Sequence, residues 1–170
     1  MDLHRYIRDI PDFPKKGIMF KDITPLLKSP EALQQSITGL AERFRDSGVT
    51  TVAAIESRGF LFGSSVALAL DAGVIPIRKP GKLPWTTRRH EYVLEYGTDA
   101  LEIHDDALHA DDRVLIIDDV LATGGTLAAT AALVQGFGAA IVGIATLIEL
   151  EFLNGRSKLP DVPFHSLLKY

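Results

Sequence analysis

Two neighbouring aspartates, Asp118 and Asp119, directly follow the apolar run Val114–Ile117. An unbroken run of this kind is typical of a strand buried on both faces, as in a parallel sheet. Ligands of open α/β folds bind beyond the carboxyl ends of such strands. Adjacent carboxylates there repel each other and lose solvation, so the pair predicts a bound ligand. The alternative is that one aspartate caps a helix and the other is solvated.

A small, hydroxylated turn comes next and precedes an Ala- and Leu-rich segment that predicts a helix over 127–137. Glycines let backbone N–H groups close around an anion, and threonine hydroxyls and the helix N-terminus add to that attraction. The turn is not a Walker loop, because no lysine follows the glycines, and no GxGxxG dinucleotide motif is present. A buried connection without a ligand is the competing interpretation. The predicted phosphate loop comprises Ala122, Thr123, Gly124, Gly125 and Thr126.

Glu56-Ser57-Arg58-Gly59 follows the apolar stretch Thr51–Ile55 in the same way. If that stretch is a neighbouring parallel strand, this second loop lies at the same sheet edge. Arg58 suits a polyphosphate, because a guanidinium binds two oxygens at once and keeps its charge. An ordinary strand-to-helix turn with an exposed arginine is the alternative.

Residues 78–89 form a basic segment that Pro80, Gly81 and Pro84 are expected to keep out of regular structure. We expect either a solvated loop or a mobile lid that brings cations to a leaving pyrophosphate. The residues of interest are Arg78, Lys79, Lys82, Trp85, Thr87, Arg88 and Arg89.

Residues 1–30 are predicted to be irregular, because four prolines interrupt them, yet many of their side chains are apolar. Such an arm either covers the core or forms a hood over a flat ligand, with Phe20 as a stacking platform.

The remaining pattern predicts an α/β fold with a mostly parallel sheet and right-handed crossovers. A helix is expected from a Ser29 cap to Gly48. Two short strands are expected to form an antiparallel hairpin around 97–99. The predicted strands cover 51–55, 74–77, 92–96, 101–104, 114–117, 139–147 and 164–168, with further helices over 63–72 and 127–137.

Composition narrows the function further. The 170 residues predict one domain, and the net charge of −4 argues against a nucleic-acid partner. The charged N-terminus and the lack of a long apolar stretch argue against a secretory signal or a membrane span. The absence of cysteine excludes disulfides and fits a cytoplasmic location.

The run RVLIIDDVLATGGT at 113–126 resembles the phosphoribosyl-diphosphate signature of the type I phosphoribosyltransferases. The resemblance extends over the whole chain to the adenine-specific branch of that family. It is carried by DFPKKGIMFKDITPLL at 12–27, ESRGFLFG at 56–63, RKPGKLP at 78–84, LEYG at 94–97 and PFHSLLKY at 163–170.

The resemblance implies a type I phosphoribosyltransferase fold over 1–170, with a hood over 1–30 and a lid over 78–92. It implies that Asp118 and Asp119 hold the ribose hydroxyls while Ala122–Thr126 wrap the 5-phosphate. Phe20 would stack on adenine, and backbone groups near Met19 and Lys21 would read its edge. The pyrophosphate would bind to Ser57, Arg58, Lys79 and Lys82, and Arg58 is also implied to be catalytic.

The implied reaction joins adenine and 5-phosphoribosyl 1-diphosphate to give AMP and pyrophosphate, with Glu95 handling the proton. Mg²⁺ would arrive on the substrate and contact Asp118 and Asp119 at most through water. A homodimer is implied by the family alone. Two alternatives stay open: the same fold acting on another base, or a non-catalytic regulator that binds phosphoribosyl diphosphate.

Overall fold

The computed structural model describes residues 1–93 and 97–170. Five strands, numbered in chain order with the others, form a parallel central sheet. They are β3 (Thr51–Ile55), β4 (Gly73–Ile77), β7 (Arg113–Leu121), β8 (Ala140–Glu149) and β9 (Phe164–Lys169). Their order across the sheet is β4-β3-β7-β8-β9, and all four pairings are parallel. The predicted α/β fold with a mostly parallel sheet is therefore confirmed.

Helices cover both faces of this sheet. They are α1 (Thr24–Lys28), α2 (Pro30–Glu42), α3 (Phe60–Ala69) and α4 (Gly125–Gln135). Leu115 and Ile117 of β7 pack in one core cluster with α2 and α3, whereas Val114 and Ile116 pack in the other with α4. All four side chains are fully buried, which explains their unbroken apolar run. None of the helices in the described ranges is long and apolar enough to cross a bilayer.

The order of the strands reverses direction between β3 and β7. From β3 the chain continues outward to β4, whereas from β7 it continues to β8 and β9 on the other side. In open α/β sheets this switch point opens a crevice at the carboxyl edge, where ligands bind. The Glu56–Gly59 loop and the Asp118–Thr126 stretch flank that crevice.

Two antiparallel hairpins stand outside the central sheet. The first pairs β1 (Arg8–Pro11) with β2 (Met19–Asp22), so the prediction of an irregular arm was wrong there. Proline was misleading because Pro11 ends β1 at a two-stranded edge, where no further strand needs its missing N–H. The Phe13–Pro14 peptide in the connection is cis.

The second hairpin pairs β5 (Thr87–Val93) with β6 (Thr98–His104). The hairpin was predicted, but its strands are longer: residues 87–89 belong to β5 and not to an irregular loop, and Thr98 and Asp99 belong to β6 and not to the turn. Leu94, Glu95 and Tyr96 lie outside the described residues, so the predicted end of the first strand is not described.

Several other strand and helix boundaries differ from the predicted ones. Asp118 and Asp119 lie inside β7, not after it. Helix α2 starts as predicted, with the Ser29 hydroxyl accepting from Ala32 N–H, but it ends at Glu42 instead of Gly48. Beyond it, Phe44 N–H donates to Ala41 and Ser47 N–H to Phe44, so the chain tightens into three-residue turns. Helix α3 covers 60–69 instead of 63–72, and α4 covers 125–135 instead of 127–137.

Candidate active site

The two aspartates are the buried acids of the switch-point crevice. Asp118 and Asp119 are 8% and 4% exposed, and the backbone N–H of Asp119 donates to the Asp118 carboxylate over 2.8 Å. Gly59 lies against them, because a Cβ atom there would meet Asp118 Oδ1 at 3.0 Å and Ile55 O at 2.5 Å. The glycine thus lets the loop after β3 pack directly over the acidic end of β7.

Arg58 provides the nearest positive charge. Its Nε lies 2.8 Å from Asp119 Oδ2, and its guanidinium carbon lies 4.8 Å from the centre of the Phe20 ring. Asp119 Oδ2 is nevertheless buried without a well-aligned hydrogen bond from any described residue. A buried carboxylate oxygen in that condition is short of a donor, as expected of a group that binds a ligand.

The local electrostatics oppose ionisation of the pair. Burial raises the pKa of Asp118 well above its ordinary value, and the neighbouring charge of Asp119 raises it further. Burial also raises the pKa of Asp119, although Arg58 partly offsets this. Two acids in a cleft whose pKa values are raised by loss of solvation are typical of a functional site.

The predicted phosphate loop joins β7 to α4 within the same crevice. Gly124 precedes the helix in a left-handed conformation, with φ of 83°, which a residue with a side chain rarely adopts. The eleven-residue helix α4 begins at Gly125, so its N-terminus faces the crevice and favours an anion there. The hydroxyl oxygen of Tyr92 on β5 lies 3.4 Å from Thr126 Oγ1, which places the second hairpin beside the loop.

The predicted pyrophosphate cations are each paired with a carboxylate. Glu56 accepts from Lys82 Nζ over 2.5 Å, from Lys79 N–H over 2.9 Å and from Arg78 Nε over 3.2 Å. Burial disfavours the charged form of Glu56, but these donors outweigh it and lower its pKa. The Lys79 ammonium pairs with Asp99 and lies 3.2 Å from the Tyr92 hydroxyl. The Glu56–Ser57 peptide that leads into Arg58 is cis.

The first hairpin presents the aromatic residues. Phe20 is half-buried and packs edge-on against Phe13, with ring centres 5.0 Å apart. The Lys21 ammonium is 2.7 Å from Asp9 Oδ1 and 3.8 Å from the centre of the Tyr170 ring. Since that side chain is already engaged, Lys21 can offer a ligand its backbone groups more readily than its charge.

Comparison with known proteins agrees with this geometry. The family model described as "Phosphoribosyl transferase domain" matches residues 23–163. The adenine phosphoribosyltransferase of Solidesulfovibrio magneticus is 55% identical over 169 residues, covering 99% of each chain. The chain belongs to the adenine phosphoribosyltransferase family. It is therefore an enzyme of the pentosyltransferase class.

Solved structures of the family share the whole fold. The adenine phosphoribosyltransferase of Thermoanaerobacter pseudethanolicus superposes with a TM-score of 0.96 at 52% identity, covering 99% of this chain and 98% of its own. The Saccharomyces cerevisiae enzyme, solved with an imino-altritol bisphosphate and adenine, gives a TM-score of 0.92 at 40% identity, with coverage of 98% and 96%. The type I phosphoribosyltransferase fold is thus confirmed.

Most of the residues predicted for an adenine phosphoribosyltransferase site come together. A cavity of about 330 Å³ is lined by Ser57, Arg58, Lys79, Asp118, Asp119 and the entire loop Ala122–Thr126. Lys82 does not line it and is connected through Glu56. Met19, Phe20 and Lys21 lie outside its lining, with Phe20 adjoining through Arg58. Glu95 lies outside the described residues.

Sequence reasoning missed three residues that organise the cations: Glu56, Tyr92 and Asp99. Glu56 was noticed only as part of a turn, although a carboxylate between a buried strand and an arginine was an available signal. Tyr92 and Asp99 had no signal of their own, because their approach to Lys79 depends on how the second hairpin packs against the sheet.

Proposed function

We propose that the chain transfers the phosphoribosyl group of 5-phosphoribosyl 1-diphosphate to adenine, giving AMP and pyrophosphate in purine salvage. One observation carries this proposal: a buried aspartate pair continues directly into a glycine-rich phosphate loop at the sheet switch point. Family membership supports adenine as the acceptor, because the relatives are named adenine phosphoribosyltransferases.

Asp118 and Asp119 are assigned to the ribose 2- and 3-hydroxyls, and Ala122, Thr123, Gly124, Gly125 and Thr126 to the 5-phosphate. Hydroxyl groups would supply the donors that Asp119 Oδ2 lacks. The N-terminus of α4 and the backbone N–H groups of the loop suit a phosphate dianion. The two sites adjoin, as ribose carbons 3 and 5 require.

Ser57, Arg58, Lys79 and Lys82 are assigned to the pyrophosphate. The three cations each pair with a carboxylate in the free site, so the entering diphosphate exchanges one anion for another. Arg58 then leaves Asp119 and Phe20, which frees the acid for ribose and the ring for adenine. Phe20 stacks on the base, while backbone groups of Met19 and Lys21 read its edge.

Catalysis requires charge neutralisation at the leaving diphosphate and alignment of adenine N9 with ribose C1. Arg58, Lys79 and Lys82 stabilise the growing negative charge, and the aspartate clamp and Phe20 supply the alignment. Closure of residues 78–92 excludes water, which would otherwise attack the sugar cation. Glu95 is assigned to the proton of the purine, following the family resemblance.

Mg²⁺ fits this site as an ion carried by the substrate. Asp118 and Asp119 adjoin in the crevice, and no group of three or more acids or histidines that could hold a metal occurs within residues 1–93 and 97–170. Magnesium retains waters and binds through few carboxylates plus phosphate oxygens, so Asp118 and Asp119 suffice as its protein contacts through water. When bound, the ion neutralises diphosphate charge.

We assign residues 1–170 to one phosphoribosyltransferase domain, with 1–30 as the hood and 78–92 as the lid. We also propose a homodimer in the cytoplasm, with small-molecule substrates and neither nucleic acid nor membrane as partners. Helix α3 supports the dimer, because Leu61 and Leu68 remain 49% and 82% exposed beside the edge strand β4, where Val74 is 45% exposed. A helix apolar on all sides is normally covered on all sides.

The test is an assay of the purified chain with Mg²⁺ and 5-phosphoribosyl 1-diphosphate against adenine, hypoxanthine, guanine and orotate separately. AMP and pyrophosphate formed from adenine alone is the expected result. Nucleotide formed from another base would show that this base is the acceptor, and the residues assigned to ribose, 5-phosphate and pyrophosphate would stay as proposed. Binding of the diphosphate without turnover of any base would support the non-catalytic regulator instead.

A further inference from the structure

The connection between β8 and β9 presses against the outer side of the phosphate loop. Leu150 N–H donates to Leu121 O over 2.9 Å, so the chain leaving β8 runs beside the chain leaving β7. It then forms two short 3₁₀ turns, Glu151–Leu153 and Gly155–Lys158. The second turn reaches the loop at Gly155, which is buried.

The contact between the two segments is backbone against backbone. A Cβ atom at Gly155 would lie 2.2 Å from Ala122 O and 3.0 Å from Gly124 N, and one at Gly124 would lie 2.3 Å from Gly155 O. Gly155 does not have a positive φ, so its conformation is open to other residues. Position 155 therefore requires glycine because a side chain would collide with the phosphate loop, and not because of its backbone conformation.

An ion pair between the neighbouring Arg156 and the buried Glu149 anchors the turn that contains Gly155. The guanidinium of Arg156, the next residue, binds both oxygens of Glu149, with Nη2 2.7 Å from Oε2. The Glu149 side chain is 5% exposed and also accepts from Ser166 Oγ over 2.9 Å. The Arg156 guanidinium carbon lies 4.4 Å from the centre of the Phe164 ring. Side chains from two strands, β8 and β9, thus hold one turn, and this network has no part in the roles assigned above.

We propose that Gly155, held by the Arg156–Glu149 pair, is a positioning residue that sets the place of the phosphate loop for the 5-phosphate of the substrate. The proposal rests on the assignment of Ala122–Thr126 to that phosphate. A methyl group at 155 has to push Ala122 O and Gly124 N, and the displaced loop then presents its N–H groups in the wrong place. Misplacement by about 1 Å can cost on the order of a hundredfold.

The experiment compares Gly155→Ala with Gly73→Ala, a matched control whose new methyl would meet only Thr50 O at 3.7 Å. We measure KM for 5-phosphoribosyl 1-diphosphate and for adenine, kcat, thermal midpoint, and the Kd of ribose 5-phosphate by calorimetry. Gly155→Ala is expected to raise KM for the diphosphate and Kd for ribose 5-phosphate by between about tenfold and a hundredfold, with a nearly unchanged KM for adenine. Gly73→Ala is expected to match the wild type.

Substitutions at Arg156 test the same proposal if Gly155→Ala does not fold. Arg156→Gln is expected to shift the same two constants, and Arg156→Lys to restore them only in part, because lysine cannot bind both carboxylate oxygens. Wild-type constants for ribose 5-phosphate in the folded Gly155→Ala or Arg156→Gln variant would overturn the proposal, as would equal losses for adenine and ribose 5-phosphate. A wild-type chain that binds ribose 5-phosphate but makes no AMP would refute the proposed reaction alone. One that does not bind ribose 5-phosphate would overturn both.

Discussion

Arg58 Nε lies 2.8 Å from Asp119 Oδ2, while the same guanidinium lies 4.8 Å from the centre of the Phe20 ring. One side chain thus contacts both the acid assigned to ribose and the ring assigned to adenine. The side chain of Arg58 is 33% exposed, whereas that of Asp119 is 5% exposed, so the arginine is the partner that can move. If the proposed assignments hold, substrate entry requires Arg58 to exchange both contacts for diphosphate oxygens.

Asp119→Asn tests the ribose clamp. The amide keeps the shape of the side chain but loses the charge that accepts ribose hydroxyls. Hydrogen bonds to a charged group contribute about 1.5–3 kcal/mol, so the Kd for 5-phosphoribosyl 1-diphosphate should rise about 10- to 150-fold. Calorimetry on the variant and wild type measures it, with adenine binding as the internal control. An unchanged Kd for the diphosphate would remove Asp119 from the clamp.

Phe20→Ala tests the stacking platform. Stacking of a base on an aromatic side chain contributes about 1–3 kcal/mol, so the KM for adenine should rise about 5- to 150-fold. Phe152→Ala is the control, because Phe152 is 71% exposed and lies on the β8–β9 connection. Steady-state kinetics of both variants and the wild type measure the KM for adenine. Equal adenine KM values in both variants would return Phe20 to a purely packing role.

Asp99→Asn tests whether the resting carboxylates compete with pyrophosphate. Burial lowers the pKa of Lys79, but Asp99 and Tyr92 outweigh it and raise that pKa. Partly exposed ion pairs contribute about 0.2–1 kcal/mol, so releasing Lys79 should tighten pyrophosphate binding by up to about fivefold. Glu91→Gln, which removes an exposed acid from the same hairpin, should change nothing. Weaker pyrophosphate binding in Asp99→Asn would show that Asp99 orients Lys79 and does not compete for it.

Glu95→Gln tests the acid assigned to the purine proton. Loss of one general acid or base typically lowers the rate by about 10²–10⁴-fold, so kcat should fall far more than either substrate affinity changes. Presteady-state and steady-state kinetics separate the two effects. A variant with wild-type kcat would end the assignment.

Asp118→Asn tests the cost of the buried pair. Burial raises the folded-state pKa of Asp118 above its unfolded value near 3.8. Below 3.8 both states are protonated and no penalty exists. As pH rises from there through the folded pKa, the unfolded chain ionises while the buried group resists ionisation, so this stability is progressively lost. The variant should therefore exceed the wild type in free energy of unfolding by about 0.5–2 kcal/mol at pH 7, while losing activity.

The measurement is denaturant unfolding of both proteins between pH 3.5 and 8. The difference in unfolding free energy should shrink steadily toward acid pH. A difference that is constant over this range would show that Asp118 titrates with an ordinary pKa, and that its burial does not oppose ionisation.

The sequence predicted the central sheet because its buried strands contain short apolar runs, as at Thr51–Ile55 and Val114–Ile117. It also predicted that the acids and the glycine-rich loop lie at the carboxyl edge of the sheet, since they follow those apolar runs, although Asp118 and Asp119 lie inside the longer strand β7. It failed at the first hairpin, where Pro11 and Pro14 masked two short strands. It could not find the pairing of Lys79 with Asp99 or the contact of Gly155 with Gly124, because both depend on how separate segments pack in three dimensions.

The proposed mechanism is tested most directly by a crystal structure of the chain with Mg²⁺, adenine and a non-reactive analogue of 5-phosphoribosyl 1-diphosphate. We expect that Asp118 and Asp119 bind the ribose hydroxyls, that Ala122–Thr126 surround the 5-phosphate, and that Arg58 has left Asp119 for the diphosphate while adenine lies on Phe20. Arg58 still paired with Asp119, and the analogue bound elsewhere, would contradict it.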